Sequence, residues 1–111
     1  MRFVYFETAH KQFCELDISI QKRIKSFTDA LQSLENPRSR GKPLLGNLSG
    51  FWRYRVGDYR IICKILDEKL VICAFYIAHR KNSYQQTTSI RSIIKRFHQF
   101  ADSIPVPLDK H

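Results

Sequence analysis

The sequence predicts an α+β fold. The expected architecture is a small, twisted, mainly antiparallel sheet, made of an N-terminal strand and a three-strand meander. An N-terminal helical hairpin and a C-terminal helix pack on one face of it. Three observations predict this. Apolar residues recur at helical spacing before residue 35 and again after residue 87. Between those stretches the pattern switches to β-branched and aromatic runs of period two, with a two-residue turn signal at Gly57-Asp58. Finally, 111 residues with 43% hydrophobic and 26% charged side chains suit one globular domain over residues 1–111.

Residues 2–7 read as the first strand. Thr8 is placed to cap a helix over 9–16, and Asp17 or Ser19 to cap a second. In the second helix Ile20, Ile24, Phe27, Leu31 and Leu34 form the apolar stripe, with Lys22, Arg23 and Lys25 between them. Asn36-Pro37 ends it. Residues 36–50 hold two prolines and three glycines and read as a basic loop. Strands follow over 51–56, 59–66 and 70–79, the last two joined by a turn around Asp67-Glu68. A third helix over 88–101 has Ile90, Ile93, Ile94, Phe97 and Phe100 on one side and Arg91, Lys95 and Arg96 on the other. The tail around Pro105-Val106-Pro107 is expected to be extended and mobile.

Composition narrows the function. Lys and Arg number 19 against 10 Asp and Glu, a net charge of +9, which favours a polyanionic partner. No apolar run approaches the ~18 residues that span a bilayer, and the N-terminus lacks the apolar region of a signal peptide. Cys14, Cys63 and Cys73 are odd in number, far apart and without a CxxC pair. They read as buried, reduced thiols of a cytosolic protein. His10, His79, His98 and His111 show no ligand spacing, so neither a metal nor another cofactor is expected. No phosphate-binding glycine loop or nucleophile elbow is present.

The Gly57-Asp58 turn fixes a register. It pairs Val56 with Tyr59, Arg55 with Arg60, Tyr54 with Ile61 and Arg53 with Ile62. Trp52, Tyr54, Val56, Tyr59, Ile61, Cys63 and Ile65 then share the helix-facing side, while Arg53, Arg55, Arg60 and Lys64 take the other. Arg55 directly across from Arg60 disfavours an isolated sheet, so the pair reads as a grip for an anion. Residues 36–64 concentrate the charge: Arg38, Arg40, Lys42, Arg53, Arg55, Arg60 and Lys64 face Asp58 alone, a net of +6. Such a surface with Trp and Tyr nearby suits phosphate contacts and base stacking. Arg38, Arg40, Lys42, Lys64 and Lys81 are therefore the candidate RNA-binding residues beside the arginines.

The last strand ends in Ala78-His79-Arg80-Lys81 and leads to Tyr84. A two- or four-residue turn at Asp67-Glu68 would put His79 on the arginine face; a three-residue turn would put Arg80 there. These residue types suit cleavage of RNA by its own 2′-hydroxyl. Fixed guanidinium groups would stabilise the phosphorane. His79 or Tyr84 would move protons, since arginine holds its own too tightly.

The run from Gly41 to Ile62, GKPLLGNLSGFWRYRVGDYRII, resembles the core of the RelE/ParE superfamily of type II toxins, as do the helix pair ahead of it and the Ala78-His79-Arg80 strand end. The resemblance covers about residues 2–95. It implies a bacterial cytoplasmic protein with an acidic antitoxin made alongside. In the RelE branch it implies metal-independent cleavage of mRNA in the ribosomal A site. Position by position it assigns catalytic roles to Arg53, Arg55, Arg60, Arg80 and Tyr84. The branch has lysines at the first two of these, and arginines are poorer proton shuttles. Residues 47–52 also resemble the YoeB branch, whose upstream glutamate is missing here and whose closing His-Tyr pair has a loose counterpart in His79. The base is then His79, or charge stabilisation does most of the work. Two other readings remain: a ParE-like DNA gyrase inhibitor, and a non-catalytic antitoxin-binding module.

Overall fold

The computed structural model describes residues 1–82 and 87–105. In chain order the main elements are β1 (Arg2–Tyr5), α1 (Glu7–Cys14), α2 (Ile18–Gln32), β2 (Lys42–Pro43), β3 (Trp52–Val56), β4 (Tyr59–Leu66), β5 (Val71–His79) and α3 (Thr87–Ser103). Short 3-10 turns stand at Pro37–Ser39, Gly46–Leu48, Asp67–Lys69 and Arg80–Asn82. The sheet order is β1-β5-β4-β3-β2, with β1 parallel to β5 and every other pairing antiparallel.

The α+β class and the order of elements are as the sequence predicts, with three differences. First, the loop over 36–50 contains an edge strand: Lys42 pairs with Arg53 and Pro43 with Trp52. A two-residue strand containing proline has no periodicity to betray it, and it blunts the edge against further pairing. Second, helices cover both faces of the sheet. Ala9, Ile24 and Leu31 of the helical hairpin pack on Tyr54, Val56, Ile61, Cys63, Ile65, Ile72, Ala74 and Ile77. On the opposite face Ile93, Phe97 and Ala101 of α3 pack on Phe51, Ile62, Val71, Cys73 and Phe75. The one-face expectation came from β3 and β4, whose second face is basic near the turn. β5 is apolar on both faces, and such a strand needs cover on both. Third, helix entry differs. α1 begins at Glu7, with Phe6 rather than Thr8 in the capping position, and Asp17 precedes α2 without a side-chain cap bond. Phe6 is buried and its amide donates to the Ala74 carbonyl at 2.8 Å, so the strand's last pairing sets where α1 starts. The expectations for Val106 and Pro107 lie outside the described residues.

The loop ahead of β3 is held by side chains of the sheet. The buried Tyr54 hydroxyl donates to the Pro37 carbonyl at 2.8 Å, and Trp52 Nε1 donates to the Arg40 carbonyl at 2.7 Å. Asn36 Oδ1 accepts from the Arg38 amide at 2.9 Å.

Cys63 and Cys73 are buried, as expected, but Cys14 is exposed near the end of α1. Burial pushes the Cys73 thiol up to about 12 and the Cys63 thiol well above its ordinary value. It also raises the Tyr5 phenol to about 12 and Tyr54 further. Each group binds its proton more tightly folded than unfolded. The unfolded thiols ionise near 9 and the unfolded phenols near 10, so stability is complete below about pH 8.5 and falls as pH rises toward 12. Urea unfolding at pH 8, 9.5 and 10.5 should show a steady loss of stability. Cys73→Ala should flatten that loss, at the cost of a lower plateau below pH 8.5. A stability independent of pH across this window would contradict the burial of these groups.

Candidate functional site

The β3–β4 turn is a two-residue loop in which Gly57 takes φ +59. A glycine there meets the twist of the flanking strands without penalty. The resulting register pairs Val56 with Tyr59, Arg55 with Arg60, Tyr54 with Ile61 and Arg53 with Ile62, each as the sequence predicts.

The β4–β5 register holds a bulge. Leu66 pairs with Val71, so four residues span the turn. Continued regularly, that register would set His79 on the arginine face. Instead a shift between Ile62 and Cys63 pairs Cys63 with Ala74 and Ile62 with Tyr76. Beyond the bulge every β5 side chain is on the face opposite to the one a regular continuation of the four-residue turn would give. Tyr59 pairs with His79 and Arg60 with Ala78, so His79 lies on the helical-hairpin face. Arg80 follows, and its amide donates to the Asp58 carbonyl at 2.8 Å. His79 is thus turned away from the arginines, and Arg80, the first residue of the 3-10 turn, stands at the Gly57-Asp58 end of the sheet.

Two rows cross the basic face. One is Arg55, Arg60 and Ala78; one pleat repeat away is Lys42, Arg53, Ile62 and Tyr76. Arg53 and Arg60 are half-buried and Arg55 is exposed. Among the described residues none of the three forms an ion pair. Arg80 approaches Asp58 at 3.5 Å, an exposed contact of small worth that an incoming anion can displace. α3 covers the same face farther from the turn, over Phe51, Ile62 and Phe75. The surface is therefore apolar under the helix and cationic beyond it.

The remaining candidates divide. Arg40, Gly41, Lys42, Arg53 and Arg55 line a cleft of about 270 Å³ at the β2–β3 edge, with Phe27 of α2 in its wall. Lys64 is occupied elsewhere: its Nζ donates to the Gly50 carbonyl at 3.1 Å and sits 5.2 Å from the Phe51 ring centre. Arg38 makes a two-pronged pair with Asp67, both bonds 2.9 Å, at the end of β4 farthest from the Gly57 turn. The charge concentrated over 36–64 is thus partly offset by a carboxylate outside that stretch. Lys81 is exposed at the sheet's end. Its amide donates to His79 Nδ1 at 3.1 Å, which leaves the neutral ring's proton on Nε2. The His79 ring meets Tyr59 edge-on at 5.0 Å. Tyr84 lies outside the described residues.

Two neighbours of the site escaped the sequence reading. Tyr76 joins the row of Arg53 because of the bulge. β5 is apolar throughout before His79, so no alternation marked which face Tyr76 would take. Arg23 of α2 lays its guanidinium on the turn, 3.0–3.2 Å from where a Cβ on Gly57 would stand. It adds a cation from the opposite layer, and only tertiary packing could reveal that. Among the described residues no cluster of three His, Cys, Asp or Glu could hold a metal, and no helix is long and apolar enough to cross a membrane.

Comparison with known proteins bears on the family and the fold. The family model for the ParE toxin of type II toxin–antitoxin system, parDE, matches residues 6–84. Toxin RelE of Mycobacterium tuberculosis is 40% identical over 52 residues, 47% of this chain; the match spans 54% of that relative's length. Among solved structures, the toxin–antitoxin complex RelBE2 from M. tuberculosis superposes with a TM-score of 0.64 at 28% identity, covering 71% of this chain and 90% of that one. The archaeal RelE–RelB complex from Pyrococcus horikoshii shares the fold, with a TM-score of 0.57 at 24% identity over 74% of this chain and 97% of that one.

Proposed function

The chain belongs to the RelE/ParE superfamily of type II toxins, and from that we propose that it is a ribosome-dependent endoribonuclease of the RelE kind. Its substrate is messenger RNA in the ribosomal A site, and the attacking group is the RNA's own 2′-hydroxyl. The observation that carries this reading is the Arg55–Arg60 pair, held side by side with no carboxylate partner among the described residues. When the 2′-hydroxyl gives up its proton and its oxygen bonds to phosphorus, the non-bridging oxygens gain charge; the bond to the 5′-oxygen then breaks and that oxygen leaves with a proton. Guanidinium groups already in place favour that state without reorganising. Arg80 would join them from Asp58, and Arg53 would steady the strand from the next row. His79 stands on the other face of the sheet, so this reading gives charge stabilisation the larger share and proton transfer by His79 the smaller. Tyr84 keeps the role the resemblance gives it.

The same reading supplies a partner and a place. A +9 surface should attract an acidic antitoxin segment that folds as it binds, and the solved relative RelBE2 is itself a toxin–antitoxin complex. The cytoplasm, where ribosomes are, is the expected location.

One finding favours a second reading: the matching family model describes a ParE toxin, which suits a DNA gyrase inhibitor without nuclease activity. Primer extension on transcripts from induced cells separates the two. Discrete cuts within codons are expected. Intact transcripts with DNA damage would overturn the nuclease and favour the gyrase inhibitor. Neither cuts nor growth arrest would leave a module that only binds its antitoxin.

A further inference from the structure

We propose that the cleft at the β2–β3 edge is a subsite for one nucleotide of single-stranded RNA, flanking the cleaved bond. Arg40, Lys42 and Arg53 would hold its phosphate, and Phe27 would receive its base. The proposal rests on the reading of the chain as an RNA-cutting toxin and names where a neighbouring residue of the substrate sits.

The cleft is built rather than incidental. Its rim, residues 40–42, lies so close to β3 that a Cβ on Gly41 would stand 2.4 Å from the Arg53 carbonyl oxygen and 2.6 Å from Trp52 Nε1. Gly41 takes φ +79, which admits that approach. The Trp52–Arg40 and Tyr54–Pro37 hydrogen bonds hold the rim from below. Four of the six lining residues are cations and none is a carboxylate. Among the described residues, Arg40, Lys42, Arg53 and Arg55 form no ion pair. Four unpaired cations around one hollow repel each other unless an anion joins them.

Phe27 decides which anion. It is half-buried, meets Tyr54 edge-on at 5.6 Å, and contributes an aromatic wall to an otherwise cationic hollow. A peptide carboxylate needs the cations alone. A nucleotide uses both, because every base offers a face for stacking and every link a phosphate. The volume of about 270 Å³ suits one such unit and no more. Continuity points the same way. Arg53 and Arg55 are two residues apart on one strand face, roughly 6.6 Å, about one nucleotide step. A strand whose reacting phosphate lies at Arg55 and Arg60 therefore brings the next phosphate to Arg53 and Lys42.

The test is titration of the full chain with adenosine 5′-monophosphate, followed by NMR. Amides of residues 40–42 and the Phe27 ring should shift. Phe27→Leu should weaken the nucleotide roughly tenfold and leave inorganic phosphate unaffected. Arg40→Gln, on an exposed side chain outside the core, should weaken both. The subsite is overturned if inorganic phosphate binds as well as the nucleotide, or if Arg40→Gln leaves nucleotide affinity unchanged. It is also overturned if an acidic peptide shifts these residues while the nucleotide does not. Should Phe27→Leu melt early, Arg40→Gln still decides. The two proposals can fail separately. Intact transcripts in induced cells, with the nucleotide seated as described, would remove the cleavage and keep the site. Cut transcripts with no response of the cleft would remove the site and keep the cleavage.

Discussion

Arg60→Gln is expected to lower the rate of A-site mRNA cleavage at least ~100-fold, the usual loss when one preorganised donor to a charged transition state is removed. It is also expected to make the protein slightly more stable. Both follow from one contact. Arg60 pairs directly with Arg55 across an antiparallel ladder, and like charges so placed oppose the sheet by ~0.2–1 kcal/mol. Removing one relieves the repulsion, which for a chain of this size raises the melting temperature by a few degrees at most. Arg55→Gln should behave the same way. A lost activity that came from damaged folding would show the opposite sign in the melt, so the paired measurement distinguishes a functional arginine from a structural one. His79→Gln should cost far less than either, because the bulge sets His79 on the far face. Full cleavage by the Arg60 variant, or a loss as large from His79→Gln, would overturn the proposed arrangement.

The contrast between Arg60 and His79 also marks how far the sequence could be read. The β3–β4 register was legible because two residues, Gly57 and Asp58, form a local turn whose length admits one pairing. Every arginine on β3 and β4 could therefore be placed on its face. The β4–β5 register was not legible. It depends on a bulge inside a strand that is apolar throughout, where slipping by one residue exposes nothing polar. The face taken by His79 and Tyr76 turned on that bulge. Similarly, the stripe of α3 showed that it packs, with Ile93 and Phe97 buried as expected. Which face of the sheet it would cover is a tertiary matter. The Arg38–Asp67 pair joins residues 29 apart, a separation that local charge counting cannot span. Arg23 over the Gly57 turn is the same kind of omission. Local chemistry fixed the arginine pair; long-range packing decided what surrounds it.

Gly41→Ala tests how the rim of the basic edge is held, and it should be the most destabilising small substitution in the loop. Two costs combine. At φ +79 any side chain meets the left-handed penalty, about 1–2 kcal/mol. The new methyl would also stand 2.4 Å from a backbone oxygen of β3 and 2.6 Å from the indole nitrogen that already binds Arg40. Neither neighbour can swing aside, since one is main chain in a paired strand and the other is held by its hydrogen bond. The rim must therefore peel from β3, giving up the Lys42–Arg53 and Pro43–Trp52 pairings and the Trp52–Arg40 bond. A total loss of about 2–4 kcal/mol is expected. Gly46→Ala is the natural control. Gly46 has φ +65, but no atom within 4 Å of its would-be Cβ. It should pay the backbone penalty alone. Urea unfolding of both variants gives the comparison. If Gly41→Ala is no worse than Gly46→Ala, the rim is not pressed against β3, and Arg40 and Lys42 are not fixed beside Arg53. If it is worse by the margin expected, then replacing one hydrogen atom by a methyl group has moved two cations away from a strand whose own arginines are untouched. The arginine pair and the edge cleft can then be weakened independently.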